Sequence, residues 1–217
     1  DSTIAADSEI EAAITPLRDS VESIMNEVIG KSVSNLYPEK PESPLSNFVS
    51  DLLLDAARKE IKKTGKEDLP VITVINIKGL RTSLPKGPVT VENIYSLMPF
   101  ENHLVILKLS GSNIHRLFKH MGVSNGDGLA GASFTFSGGE IKNAKINEQN
   151  IENQQYYYVA TSDYLAEGGD HYTIFQEAVE KYESPQKIRN LIIKHIRDLT
   201  KKGESINPAT NQRINFK

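Results

Sequence analysis

The chain has 217 residues, of which 38% are hydrophobic and 24% charged, as expected of a globular protein with a substantial core. A net charge of -3 and a pI near 6.0 argue against a broad nucleic-acid surface, which needs clustered lysine and arginine. The absence of cysteine excludes disulfides, thiol catalysis and cysteine-ligated zinc. No apolar run approaches the roughly 18 to 20 residues of a membrane span. The polar start at Asp1 is typical of a trimmed chain or of a mature exported protein.

Two helices are predicted in the first third of the chain. Apolar residues at helical spacing predict a helix over residues 14–29, with Thr15 as N-cap, Pro16 at the first helical position and Gly30 as its end. Three prolines between residues 34 and 44 predict a loop. A second helix is expected from Pro44 to Lys63.

The remaining elements alternate between strands and helices, which favours an α+β fold over a doubly wound sheet. The helices are expected after Ser110-Gly111 and over residues 185–201. Strands are predicted over residues 71–75, 104–109, 133–136, 141–146, 156–161 and 213–216, the last as an edge strand.

Familiar catalytic motifs are missing from the sequence. His115 and His120 stand about 140° apart around one helix, so they cannot easily share a metal ion, and His195 lies within an apolar face. No metallohydrolase histidine motif and no nucleophile elbow occurs. The glycine-rich residues 124–131 follow a helix instead of opening one, which predicts a connecting loop and not a phosphate loop.

Two segments place aromatic rings at strand ends. They are residues 98–102 (MPFEN) and residues 164–172 (YLAEGGDHY). Two rings from separate loops suit a flat heterocycle, a nearby aspartate suits ribose hydroxyls, and Arg81 suits a phosphate or carboxylate. The alternatives are that the rings cap the core and that Arg81 is a surface residue paired with a glutamate. The segments taken singly leave both alternatives open.

In the order of its sequence motifs, the chain resembles the C-terminal, substrate-recognition domain of the 5′-nucleotidase family, which includes 2′,3′-cyclic phosphodiesterases and sugar-nucleotide hydrolases. Residues 14–30 are similar to the family's linker helix. The other similar segments are residues 42–51 (ESPLSNFVSD), 76–81 (NIKGLR), 87–90 (GPVT), 99–102 (PFEN), 109–111 (LSG), and 158–161 (YVAT) followed by 164–170 (YLAEGGD). The resemblance implies a layered α/β/β/α sandwich, with an N-terminal segment and linker helix over residues 1–30 and the domain proper over 31–217.

The resemblance also implies a substrate-binding site. Phe100 and Tyr164 would sandwich a base, and Asp170 of the Gly168-Gly169-Asp170 motif would bind the ribose. The nucleotide would also be reached by Asn76 and Arg81.

Three departures from the family pattern put phosphate recognition in doubt more than base recognition. Ile77 and Lys78 replace two glycines, Pro41 stands where many members carry an arginine, and Ser46 replaces a glycine. The motifs of the family's two-metal phosphatase domain are missing. We therefore expect this chain to have no catalytic residues and no cofactor of its own, and to hydrolyse nothing alone.

Two functional hypotheses remain. The chain is a nucleotide- or nucleoside-binding specificity domain, whose hydrolytic partner is a missing domain or a separate metallophosphatase contacting the helix of residues 14–29. The alternative is a non-catalytic scaffold protein that kept the fold and lost the ligand. By resemblance, a periplasmic or cell-surface location is expected.

Overall fold

The computed structural model of the protein describes residues 7–66 and 68–217. The helices are α1 (Ser8–Met25), α2 (Pro44–Thr64), α3 (Val91–Leu97), α4 (Gly111–Val123), α5 (Asp163–Ala166) and α6 (Ile188–Lys201). The strands are β1 (Val28–Ser32), β2 (Val71–Ile75), β3 (Gly87–Thr90), β4 (His103–Ser110), β5 (Gly128–Ala130), β6 (Ala132–Ser137), β7 (Glu140–Ile146), β8 (Gln149–Asn150), β9 (Tyr156–Ser162), β10 (Glu180–Lys187) and β11 (Ile214–Phe216).

Two mixed sheets organise the domain, so the predicted α+β class is confirmed. The central sheet has the order β10-β4-β9-β2-β5, in which only β2 and β9 are parallel. A second sheet has the order β11-β6-β7-β8, with β11 parallel to β6 at its edge, as predicted for the C-terminal strand. A smaller antiparallel pair joins β1 to β3.

The central sheet is buried on both faces because its strands alternate between two apolar clusters. In β4, Leu104 and Ile106 belong to one cluster, while Val105 and Leu107 belong to the other. The first cluster includes apolar residues of α2, α3 and α6, and the second joins α4 to the second sheet. A strand whose side chains alternate between two covered faces is apolar throughout, which explains why β2, β4 and β9 give strong sequence signals.

Ser46, which replaces a glycine of the family pattern, has a structural role at the start of α2. Ser43 and Ser46 form a capping box, in which each hydroxyl accepts a backbone N–H of the other residue, at 3.1 and 2.9 Å. Pro44 occupies the first turn, where its missing N–H costs no helical hydrogen bond. The predicted second helix is confirmed within one residue at its end.

The predicted bounds of the first helix are wrong at both ends. The helix begins at Ser8, so Pro16 lies inside it, and Thr15 donates to the carbonyl of Glu11 at 2.7 Å instead of capping an N-terminus. Gly30 lies within β1 and not at a helix end. A Cβ there would stand 2.5 Å from Cγ2 of Ile196, so this glycine permits the close packing of β1 on α6.

The predicted start of the last helix is also wrong, because Pro185 belongs to β10. This strand is rich in charged residues, which an edge strand tolerates, and its proline follows the paired residues 180–183. Strand β3, helix α3 and the short strand β5 were likewise not predicted from the sequence. The division between residues 30 and 31 stays a prediction, and residues 1–6 lie outside the described part of the chain. None of the helices in the described part has the length and apolar character needed to cross a membrane.

Candidate functional site

The topology brings three chain segments to one edge of the central sheet. The parallel strands β2 and β9 both end there, and Asn76 and Asp163 follow them directly. Strand β4 runs antiparallel to β9, with Leu104 opposite Ser162, so the residues before β4 arrive at the same edge. The carboxyl ends of neighbouring parallel strands are a common place for ligand sites.

A cavity of about 340 Å³ opens at this edge, within the size range of small-molecule sites. Its lining residues are Ile75, Asn76, Lys78, Gly79, Arg81, Met98, Phe100, Asn102, Ser162, Tyr164, Asp170 and Ile188. Five predicted site residues therefore share one cavity although they come from three separate segments. Gly168 and Gly169 do not line it but shape the turn that carries Asp170.

The two predicted aromatic residues are exposed at the cavity. Phe100 is 46% and Tyr164 is 48% accessible to solvent, so neither ring caps the core, and that alternative is wrong. Exposed aromatic faces beside a cavity are available for stacking on a flat ligand.

Asp170 is held by its neighbours in a fixed orientation. Its two carboxylate oxygens accept hydrogen bonds from the side-chain amide of Asn76 at 2.7 Å and from the hydroxyl of Tyr164 at 3.0 Å. Its backbone adopts a φ of 49°, in the left-handed region. Each carboxylate oxygen accepts more than one hydrogen bond, so Asp170 retains acceptor capacity for a ligand.

Each of the two glycines before Asp170 is needed for a different steric reason. Gly168 has a φ of 92°, which side chains rarely adopt. A Cβ on Gly169 would stand 2.5 Å from Cζ of Tyr164, so the ring lies directly on this backbone. The motif therefore gives Tyr164 its place beside the cavity.

Two cations stand at the cavity without a carboxylate partner in the part of the chain described. Arg81 contacts the carbonyl of Lys78 at 3.5 Å, and its Cζ lies 6.0 Å from the centre of the Phe100 ring. Neither Arg81 nor Lys78 forms an ion pair with an acidic side chain that the structure describes, which contradicts the predicted alternative of an Arg81–glutamate pair. Ile77 is buried and does not line the cavity, so only Lys78 of the two replaced glycines changes the lining.

Arg189, which the sequence analysis missed, fixes the loop that carries Phe100. This buried side chain donates to the carbonyls of Met98 and Pro99 at 3.3 and 3.2 Å and pairs with Glu101. Hydrogen bonds from Lys187 and Arg189 lower the pKa of Glu101. An arginine beside Ile188 in the first turn of an amphipathic helix was the available sequence signal.

Asp127, also missed, lies in the glycine-rich segment interpreted as a plain connecting loop. Its buried carboxylate accepts the backbone N–H of Ile77 at 2.9 Å and the hydroxyl of Tyr172 at 2.7 Å. Burial, and then the charge of Asp127, raise the pKa of Tyr172 well above its ordinary value, so the hydroxyl stays protonated as a donor. A lone carboxylate flanked by glycines was the available signal.

The part of the chain described contains no cluster of three or more histidine, aspartate or glutamate side chains that could hold a metal ion. The donor set at the cavity is one carboxylate, amides and cations, which does not fit a divalent metal centre. His195, half-buried against Phe48 at 5.6 Å between ring centres, has a pKa lowered by burial.

The cavity, with its exposed aromatic rings, one carboxylate and two cations, suits binding of a flat, partly anionic molecule.

The chain is similar in sequence and in fold to several known proteins. The family model of the 5′-nucleotidase C-terminal domain matches residues 24–177. The trifunctional nucleotide phosphoesterase protein YfkN of Bacillus subtilis is 25% identical over 227 residues, covering 95% of this chain and 15% of that protein. The NAD 5′-nucleotidase of Haemophilus influenzae is 24% identical over 202 residues, covering 82% of this chain and 34% of that protein. The solved 5′-nucleotidase precursor of Thermus thermophilus has a TM-score of 0.78 at 22% identity, covering 95% of this chain and 42% of that one. This chain spans less than half of each relative.

Proposed function

Because the chain belongs to the 5′-nucleotidase C-terminal domain family, we propose that it is the nucleotide- or nucleoside-binding specificity domain of a 5′-nucleotidase-type phosphohydrolase. The family predicted from the sequence motifs is confirmed by the match over residues 24–177. The names of two relatives, a nucleotide phosphoesterase and an NAD 5′-nucleotidase, support nucleotides as the ligand class.

The observation that carries this proposal is the single cavity that combines exposed aromatic rings, one oriented carboxylate and two cations that form no ion pair within the described residues. Phe100 and Tyr164 would stack on a base, an interaction worth roughly 1 to 3 kcal/mol per base that tolerates different bases. Asp170, oriented by Asn76, would accept hydrogen bonds from ribose hydroxyls. Arg81 would bind a phosphate through its guanidinium group.

Hydrolysis is assigned to a metal-dependent domain or partner chain outside these 217 residues. The pure chain should release no phosphate from AMP in the presence of Mn²⁺ or Zn²⁺. Release that a chelator abolishes, and that survives Arg81→Ala, would contradict this assignment.

We assign the contact with that catalytic partner to α1. Its apolar stripe is exposed, with Ile14, Leu17, Val21 and Ile24 between 41% and 69% accessible, while Met25 at its end packs on the core. An amphipathic helix of this kind suits a groove on another protein surface. A periplasmic or cell-surface location belongs to the same proposal.

One observation favours the alternative, a scaffold protein that has lost the ligand. Asn76 and Tyr164 already engage both oxygens of Asp170, and the long side chain of Lys78 stands at the cavity where the family pattern carries glycine. Under this alternative, no nucleoside or nucleotide binds.

A thermal-shift titration separates the two functions. The pure chain is titrated with adenosine, AMP, uridine, UDP-glucose and 2′,3′-cyclic AMP, and the series is repeated with Phe100→Ala. A ligand at about a hundred times its Kd adds roughly 2.7 kcal/mol of stability, which gives a clear rise in Tm. The matched control is Phe216→Ala, which removes another exposed phenylalanine, on β11.

A Tm shift that Phe100→Ala abolishes and Phe216→Ala retains is the expected result. Absence of any shift at millimolar ligand would contradict the binding function and favour the scaffold. A shift that survives Phe100→Ala would place the ligand elsewhere on the domain.

A further inference from the structure

We propose that Asp127 is a positioning residue, whose buried carboxylate fastens together the two segments that carry Asn76 and Asp170. The nature of the ligand rests on the proposed function, whereas the fastening rests on the geometry alone. Asp127 does not line the cavity, so its effect on a ligand passes through the residues it holds.

The hydrogen bonds of Asp127 reach both segments from a third place in the chain. Oδ1 accepts the backbone N–H of Ile77, the residue directly after Asn76, at 2.9 Å. Oδ2 accepts the hydroxyl of Tyr172, two residues after Asp170, at 2.7 Å. Asn76 in turn donates to Asp170 at 2.7 Å, so the two segments are joined once at the cavity and once beneath it.

The surroundings of Asp127 stabilise its buried carboxylate in one position. The residue is 4% exposed, and a buried carboxylate is tolerated only with hydrogen bonds and a balancing charge. Lys40 supplies the charge, with Nζ 3.5 Å from Oδ1, and also donates to the carbonyl of Ser124 at 2.7 Å. Tyr172 is itself fixed by stacking on Phe175, at 5.2 Å between ring centres.

Removing the carboxylate would leave two donors, the N–H of Ile77 and the hydroxyl of Tyr172, without their acceptor. The two segments would then no longer be joined through Asp127, and the hydrogen bond between Asn76 and Asp170 would be their remaining link at this site. Binding sites lose affinity when the groups behind the contacting residues stop holding them in place.

A matched control exists in a second buried carboxylate with a similar set of partners. Glu60 is 5% exposed and accepts from the hydroxyl of Tyr182 at 3.2 Å and from Gln186 at 2.6 Å, and it pairs with Lys63 at 2.8 Å. None of these four residues lines the cavity. Glu60→Ala therefore removes the same kind of buried network without touching the proposed anchor.

The test compares backbone amide exchange, measured residue by residue by NMR, in Asp127→Ala, Glu60→Ala and the unaltered chain. Asp127→Ala should speed exchange at Ile77 and at residues 170–172 together, while both variants lower Tm. Glu60→Ala should leave exchange in these segments unchanged. Unchanged exchange in folded Asp127→Ala, or an equal increase in Glu60→Ala, would overturn the proposal.

Two milder variants keep the test decisive if Asp127→Ala does not fold. Tyr172→Phe removes one hydrogen bond and keeps the ring stacking, so it should loosen residues 170–172 and leave Ile77 protected. Asp127→Asn keeps an oxygen for Ile77 and an amide that donates to the Tyr172 hydroxyl, so it should retain most of the protection. Tyr172→Phe that leaves residues 170–172 unchanged would overturn the proposal.

Calorimetric titration with adenosine gives the functional readout. Asp127→Ala should raise the Kd by about tenfold, the factor that corresponds to ~1.4 kcal/mol, while Glu60→Ala changes it less than about twofold. If the unaltered chain binds neither adenosine nor any nucleotide of the thermal-shift series, the proposed function fails, yet amide exchange still decides the role of Asp127. If adenosine binds and Asp127→Ala leaves the Kd unchanged, the positioning role is overturned and the proposed function stands.

Discussion

The cavity and helix α1 both expose apolar side chains, but they present them differently. At the cavity, Phe100 sits on a loop that Arg189 fixes through two carbonyl oxygens, and the ring of Tyr164 lies on the backbone of Gly169. On α1, Leu17 and Ile24 are 69% and 56% exposed along an unsupported helix face. Side chains held by a hydrogen-bonded frame suit a small rigid ligand, whereas a helical stripe suits a large protein surface.

The largest expected effect comes from removing the side chain of Arg189, which fixes the Phe100 loop at the cavity. Arg189→Ala should lower the free energy of unfolding by about 2 kcal/mol, because it leaves the buried carbonyl oxygen of Met98 and the partly buried one of Pro99 without their charged donor. It should also weaken adenosine binding, because the loop of Phe100 is no longer fixed. Urea denaturation and calorimetry measure the two effects.

The control for Arg189 lies on the same helix. Arg197 pairs with Glu27 at 2.6 Å, but the two side chains are 43% and 48% exposed. Exposed ion pairs contribute ~1 kcal/mol or less, so Arg197→Ala should change stability little and adenosine affinity not at all. Equal losses of stability and of adenosine affinity in the two variants would show that Arg189 does not fix the Phe100 loop.

A smaller and more selective effect is expected from the cationic side of the cavity. Arg81→Gln should weaken AMP binding by about tenfold, since it removes a positive charge that would meet the phosphate and that no carboxylate of the described residues neutralises. Adenosine affinity should stay within about twofold. The AMP affinity of the unaltered chain should also fall with added salt, because the interaction is partly exposed.

Lys86→Gln removes an exposed lysine outside the cavity lining and is the control for charge alone. It should leave both affinities unchanged. An equal loss of AMP and adenosine binding in Arg81→Gln would show that Arg81 shapes the cavity instead of reading a phosphate.

The smallest effect on the isolated chain is expected on α1. Leu17→Asp should change the free energy of unfolding by less than ~0.5 kcal/mol and leave ligand affinity intact, because the side chain is exposed. It should abolish capture of the catalytic partner in a pull-down, since a charge would enter the apolar contact. Retained capture would place the partner elsewhere, and a large loss of stability would show that the stripe packs on this domain.

Much of the fold was predictable because strong periodicity marks elements that pack against the core. Helices α2 and α4 and strands β2, β4 and β9 appear close to their predicted positions. The edge strand β10 escaped prediction because an edge needs few apolar residues and accepts charges. The predicted bounds of α1 failed because an exposed helix buries no stripe, so the local signals of Thr15, Pro16 and Gly30 were not enforced by packing.

The family, the α+β class and the residues proposed to contact a ligand could be predicted from the amino-acid sequence, because these depend on local motifs and on periodicity. The folded chain was needed to show that Asn76, Arg81, Phe100, Tyr164 and Asp170 share one cavity, and that Asp127 and Arg189 hold the segments that line it. Asp127 acts on Ile77 across 50 residues, and Arg189 acts on Met98 across 91. Contacts at such separations leave no periodic trace in a sequence, because the order of strands in the sheet, and not spacing along the chain, brings these residues together.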